Sequence, residues 1–180
     1  MQESEIRLLA LNPGSRYVGT AVFHGDELVE WEVRSIREKS MKEKKEKLRT
    51  LLSGVTDAHG VNCLSVKGFH RSRTSKQLRE LTRDLKAWAL RRDLPVTEYT
   101  IKEIEASLLS SGRGSKRRLM EEVAARYPFL YPELEKERKN RNPYLVRMFE
   151  AVALGIGCVS DPERLKGRGR ISTNHGNKEE

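Results

Sequence analysis

The sequence predicts an α/β domain built on a five-stranded mixed sheet, three antiparallel strands then two parallel ones, flanked by helices. Three observations carry this. Residues 6 to 34 hold three short runs rich in β-branched and aromatic residues, separated by turn signals. Two further runs, 61–66 and 96–100, each follow a helical stretch, as parallel strands joined by helices do. Between them, Leu78, Leu81, Leu85 and Trp88 recur at helical spacing.

Residues 6–11, 17–23 and 27–34 read as the opening strands, with Tyr17, Val18, Val22, Phe23, Val29, Trp31 and Val33 supplying strand-favouring side chains. Asn12-Pro13-Gly14 reads as the first turn, Pro fixing φ at its second position and Gly taking positive φ at its third. Gly25-Asp26 reads as a tight hairpin turn. Residues 41–60 read as a helix ending in a loop. "VNCLSV" (61–66) reads as a central strand, almost wholly apolar. A helix over 75–92 has Ser75 as its N-cap. After Pro95, "VTEYT" (96–100) is the fifth strand. Helices over 101–109 and 116–127 follow, Pro128 and Pro132 break the chain, and a long helix runs from about Tyr144 to Val159. The domain is thus expected over 1–160, and 161–180 as a basic, disordered tail almost without apolar residues. The order βββ-α-β-α-β-α is that of ribonuclease-H-like folds, although the pattern alone leaves other α/β folds open.

The chain has 180 residues and a net charge of +9, with 34% charged residues. Such a surface favours polyanions, nucleic acid before an anionic membrane. The N-terminus lacks the basic and apolar regions of a signal peptide, and the longest weakly charged stretch, 151–160, is too short to span a bilayer. Cys63 and Cys158 sit in apolar runs without metal-ligand spacing, which reads as buried free thiols in a cytoplasmic protein.

Several stretches, in order, resemble the RuvC-type Holliday-junction resolvases, over about residues 5 to 159. "LALNPGSRYVGTAVF" (9–23) resembles the family's opening, where the first strand ends in Asp-Pro-Gly-Ser and the aspartate holds a catalytic metal; here that residue is Asn12. "LSVK" (64–67) resembles the fourth strand's end, where the family carries a catalytic glutamate; here it is Lys67, or Val66 after a one-residue slip. "LPVTEY" (94–99) resembles the fifth strand, and "GRGSKRRLMEEV" (112–123) a glycine-containing loop and amphipathic helix. "RMFEAVALGIG" (147–157) resembles the last helix, whose two aspartates complete the metal site; these fall on Arg147 and Glu150. The resemblance implies branched DNA as partner and a dimer, with DNA favoured over RNA.

Two-metal phosphodiester hydrolysis needs several carboxylates around divalent cations. Asn12, Lys67, Arg147 and Glu150 offer one negative charge and two positive ones. The expectation is therefore a degenerate site with no metal and no cofactor. Asn12 reads first as a residue that begins a turn. Lys67 either points to solvent or pairs inside. Glu150, alone among apolar and small residues from 148 to 159, needs a partner if buried, and an Arg147–Glu150–Lys67 cluster is the favoured reading. The competing expectations are an active Mg²⁺- or Mn²⁺-dependent endonuclease with ligands shifted to Glu98 or Asp26, and a scaffold protein that contacts other proteins.

Residues 67–92 hold nine Lys or Arg against Glu80 and Asp84. The loop "KGFHRSRTSK" (67–76) places Lys67, His70, Arg71, Arg73 and Lys76 where they can meet phosphate, and Arg79 continues the stripe with Arg83 and Lys86. A solvated helix face explains the stripe equally well. Arg113, Lys116 and Arg117, with Arg118, form a second basic cluster.

Overall fold

The computed structural model describes residues 5 to 167. Its sheet has the expected five strands: β1 (Arg7–Pro13), β2 (Tyr17–His24), β3 (Glu27–Ser35), β4 (Cys63–Lys67) and β5 (Val96–Tyr99). Their order is β3-β2-β1-β4-β5. The first three are antiparallel neighbours, whereas β4 runs parallel to β1 and β5 parallel to β4. Helices α1 (Met41–His59), α2 (Lys76–Arg91), α3 (Ile101–Leu108), α4 (Lys116–Arg126), α5 (Tyr131–Lys139), α6 (Val146–Val159) and α7 (Pro162–Gly167) complete it.

Strand alternation divides the core in two. Leu9 and Leu11 of β1, with Leu64 and Val66 of β4, pack among Leu48 and Leu52 of α1 and Leu81 and Leu85 of α2. Leu8 and Ala10 face the other way, with Cys63, into a layer dominated by α6. The parallel register pairs Leu8 with Cys63 and Ala10 with Ser65. Two residues further on, it sets Asn12 beside Lys67 on the α6 face.

Two glycines let α6 lie this close. A Cβ on Gly19, the β2 partner of Asn12, would stand 2.1 Å from the Arg147 carbonyl oxygen, and one on Gly155 would stand 2.0 Å from the Phe23 ring. Any larger residue at either place would lift the helix off the sheet.

Three local expectations are corrected. Asn12 and Pro13 do not begin a turn: β1 continues through both, paired with Gly19 and Val18. Proline is tolerated there because the register with β4 ends at Leu11 and Val66, so no donor is needed on that side. Gly14 is not at positive φ, whereas Gly25 is, at φ 60°. Gly14 is required by crowding instead, since its Cβ would lie 2.5 Å from Arg147 Cζ and 2.7 Å from the Tyr17 carbonyl oxygen. Secondly, Pro132 does not break the chain but stands in the first turn of α5, where a missing N–H leaves no bond unmade. Finally, Pro162–Gly167 form α7, where the tail was expected to be disordered. Arg164 fastens it, with its guanidinium 4.0 Å from the Tyr99 ring centroid and bonded to the Glu98 carbonyl and the Glu103 carboxylate. The rest of the expected tail, 168–180, and residues 1–4 lie outside the described residues.

Both cysteines are free and buried. Burial pushes the Cys63 thiol to about 11 and the Cys158 thiol to about 12, which keeps both protonated and unreactive at neutral pH. No helix among the described residues is long and apolar enough to cross a membrane.

Candidate functional site

At the carboxyl ends of β1 and β4, three side chains from three elements meet. Asn12 is 0% exposed and Glu150 of α6 is 4% exposed. Asn12 Nδ2 donates to Glu150 Oε2 at 2.6 Å and to the Arg147 carbonyl at 3.3 Å. Lys67 Nζ donates to the same Glu150 oxygen at 2.7 Å, its side chain 18% exposed. A carboxylate this deep is tolerable because an ammonium and an amide both donate to it. The other acceptors, Asn12 Oδ1 and Glu150 Oε1, are buried without a protein partner.

The expected Arg147–Glu150–Lys67 cluster is therefore half present. Among the described residues no ion pair joins Arg147 to Glu150. Arg147 enters through its backbone carbonyl, because the first turn of α6 rests on Gly19, while its guanidinium extends over Gly14. Val66 is not the site residue; it is buried in the opposite core layer.

Neither alternative carboxylate converges on this point. Glu98 is the register partner of Val66 and pairs with Lys86 of α2, on the far face of the sheet. Asp26 sits in the β2–β3 turn, at the other end of β1, where the Gly25 amide bonds to the Ile6 carbonyl at 2.7 Å. Among the described residues no three His, Cys, Asp or Glu side chains are grouped to hold a metal ion.

One positioning residue was invisible in the sequence. Glu137 of α5 is buried, and its two oxygens accept the Leu145 amide at 3.0 Å and the Val146 amide at 2.9 Å. It thereby caps α6, whose own N-cap residue, Leu145, has no side chain able to do so. The cap comes from eight residues upstream in another helix, and no local motif announces it.

The basic loop leaves the same sheet end directly after Lys67. Gly68 ties it to β5 through its amide and the Tyr99 carbonyl at 2.7 Å. His70 Nδ1 lies 2.8 Å from Ser72 Oγ, and Thr74 Oγ1 donates to the His70 carbonyl at 2.8 Å, so the loop is internally braced around a short 3₁₀ turn, Arg71–Arg73. His70, Arg73, Lys76 and Arg79 are exposed; the Arg71 side chain lies outside the described residues. The two acids of α2 are turned towards α1, Glu80 pairing with Lys45 and Asp84 with Arg49. The bond from Lys45 holds the Glu80 carboxyl below its ordinary range.

The second cluster is built differently. Arg118 folds back to the carbonyls of Ser111 at 2.6 Å and Arg113 at 2.9 Å, closing its own loop. Arg117 pairs with Glu121 one turn along. Arg113 and Lys116 are exposed.

No protein-family model and no curated protein matches the sequence. Solved structures do. RuvC of T. thermophilus in complex with Holliday junction substrate superposes with a TM-score of 0.66 at 14% identity, over 88% of this chain and 95% of that one. The yeast mitochondrial Holliday junction resolvase Ydc2 gives 0.63 at 14% identity, over 91% and 81%. A fowlpox virus resolvase, in complex with Holliday junction DNA, gives 0.55 at 8% identity, over 87% and 99%. With the strand order and the α6 packing, these superpositions place the chain in the RuvC-like, ribonuclease-H-like fold.

Proposed function

We propose that this protein binds branched or structured nucleic acid, DNA in preference to RNA, and does not cleave it by divalent-metal chemistry. The observation that carries this reading is the Lys67 ammonium standing 2.7 Å from Glu150, at the sheet end where the resemblance implies a metal. Mg²⁺ and Mn²⁺ take several oxygen ligands, with carboxylates preferred. This site offers one carboxylate, and an ammonium already neutralises it. The residues present do not fit the metal, so no hydrolytic step is assigned to them. Lys67 supplies from within the positive charge that a cation would bring.

Binding then falls to the surface beside this cluster. The braced loop after Lys67 presents His70, Arg73 and Lys76 at the start of α2, and Arg79 and Arg83 extend the basic run along its exposed face. A run of this kind follows a phosphate backbone without reading its sequence.

The test is binding and cleavage on labelled four-way junction, duplex and RNA, with added Mg²⁺ or Mn²⁺. Expected are junction binding that weakens steeply with salt, no cleavage, and no rise in melting temperature with either metal. Asn12→Asp is expected to remain inactive and to be less stable. It replaces the donor that meets Glu150 at 2.6 Å with a second carboxylate. Turnover by the unmodified protein, abolished by Glu150→Gln, would establish a working metal site instead. Absence of binding at low salt would favour a scaffold role.

A further inference from the structure

A second group of cations surrounds a cleft of about 340 Å³ on the β3 side of the β1–β2 loop. Arg16 stands in that loop, Arg37 follows β3, and Lys44 lies in the first turns of α1. Tyr17 forms a wall, and Ile36, 1% exposed, belongs to the core beneath.

Two bonds fix this arrangement. The Ile36 amide donates to the Arg16 carbonyl at 2.7 Å, and Lys44 Nζ donates to the Ser15 carbonyl at 2.8 Å. Tyr17 is held by stacking on Tyr144, with ring centroids 5.7 Å apart. The cations are thus carried by three segments tied to one another.

Among the described residues, neither the Arg16 nor the Arg37 guanidinium has a carboxylate partner. The one acid in the cleft, Glu38, is paired with Lys47 at 2.6 Å and also feels the Lys44 ammonium, so its charge falls on the two lysines and neither guanidinium bonds to it. The amino end of α1 is not the attraction, because Ser40 and Glu43 cap each other there. The side chains alone make the cleft electropositive. Two exposed arginines and a lysine lining one cleft suit an oxyanion with several acceptor oxygens.

We propose that this cleft is a phosphate-binding subsite. The proposal rests on the nucleic-acid reading for the source of the phosphate, a backbone phosphodiester, but not for the site itself. Arg16 is four residues from Asn12, at most about 14 Å along an extended chain. A strand crossing the Asn12–Lys67 end of the sheet would bring a neighbouring phosphate into the cleft. The basic loop after Lys67 and this cleft would then grip one strand from both sides of the buried cluster.

Two measurements on the full chain test it. The first is an NMR titration with inorganic phosphate, following the backbone amides of Arg16, Arg37 and Lys44. The second is junction affinity against salt for the wild type, Arg16→Gln and Arg37→Gln, with melting temperatures measured alongside. Expected are phosphate shifts confined to the cleft and junction affinity about tenfold lower in each variant. The log–log salt slope should be smaller by about 0.9 per lost contact, with unchanged melting temperature. Cleft shifts with unaltered junction affinity would retain the phosphate site but overturn the backbone as its source, leaving a free phosphate or phosphorylated small molecule. No cleft shifts would overturn the subsite, even if junction binding fell. A wild type that binds no nucleic acid would defeat the functional reading, and the phosphate titration would still decide the subsite.

Discussion

Two groups of charges flank the β1–β2 loop, and they are arranged on opposite terms. On the β4 side, Glu150 is buried and shares one oxygen between Lys67 and Asn12. On the β3 side, Arg16 and Arg37 are exposed and have no carboxylate partner among the described residues. The first arrangement ties α6 to two strands and leaves little charge to offer a ligand. The second contributes little to holding the fold together and keeps its charge available. The difference teaches that a net charge of +9 says nothing of where unpaired charge lies; pairing decides that.

The sharpest way to break the comparison is to remove the shared counter-charge. Glu150→Ala leaves the Lys67 ammonium without its carboxylate and Asn12 Nδ2 without its nearer acceptor. Breaking a buried pair costs about 3–5 kcal/mol; the partial exposure of Lys67 places the expected loss near the lower end, about 3 kcal/mol. Urea unfolding measures it. The double variant Lys67→Met/Glu150→Leu should recover the part of that loss due to the stranded ammonium but not the part due to Asn12 Nδ2, which keeps only the Arg147 carbonyl at 3.3 Å. A double variant as unstable as Glu150→Ala would show that packing around α6 or the lost Asn12 bond, rather than stranded charge, sets the cost.

Next in size is Glu137→Ala, expected to destabilise by about 2 kcal/mol through two lost charge-assisted bonds at the start of α6. This variant sharpens the comparison, since it leaves both charge groups intact while loosening the helix that carries Glu150. Denaturant midpoints measure the loss. Junction binding should hardly change at temperatures where the variant is folded. A binding loss as large as that of Arg37→Gln would mean that α6 placement, and not the exposed cations, governs the interface.

How much of this was legible follows from the same contrast. Strand alternation and the helical apolar spacing of α2 are local patterns; with the connection rules they point to a mixed five-stranded sheet, while the strand order itself comes from the pairing. Glu150 was legible because a lone charge within an apolar helix demands a partner. Lys67 was singled out by the resemblance of "LSVK" to the family's fourth strand, and the sequence left open whether it points to solvent or pairs inside. Asn12 was read as a turn residue because Asn-Pro-Gly is a turn signal; the register with Gly19 carried the strand past it. Arg147 was read through its charge, while the fold uses its carbonyl. α5 was missed because Pro132 looks like a breaker unless it is known to stand in a first turn. Glu137 and the Arg16–Arg37–Lys44 cleft depend on contacts across the chain that no local spacing encodes.

The smallest expected effect separates the two exposed basic segments. Arg73, in the loop after Lys67, is exposed, and no carboxylate pairs with it among the described residues. Arg117 is exposed too, but Glu121 holds its guanidinium at 3.0 Å. A phosphate that took Arg117 would have to draw it away from that carboxylate, which would itself repel the phosphate. Arg73→Ala should therefore lower junction affinity about threefold to tenfold and reduce the salt slope by about 0.9, one phosphate contact. Arg117→Ala should change affinity less than twofold, with a slope close to wild type, because a phosphate at Arg117 would meet the Glu121 carboxylate that Arg117 shares with Arg138. Neither should move the melting temperature by more than about two degrees, since exposed substitutions of this kind stay within about 0.5 kcal/mol. Anisotropy titrations at three salt concentrations resolve both slopes. If Arg117→Ala proved the more damaging, the strand would have to run over the loop before α4 instead of past Lys67, and pairing would no longer predict which cations meet the ligand.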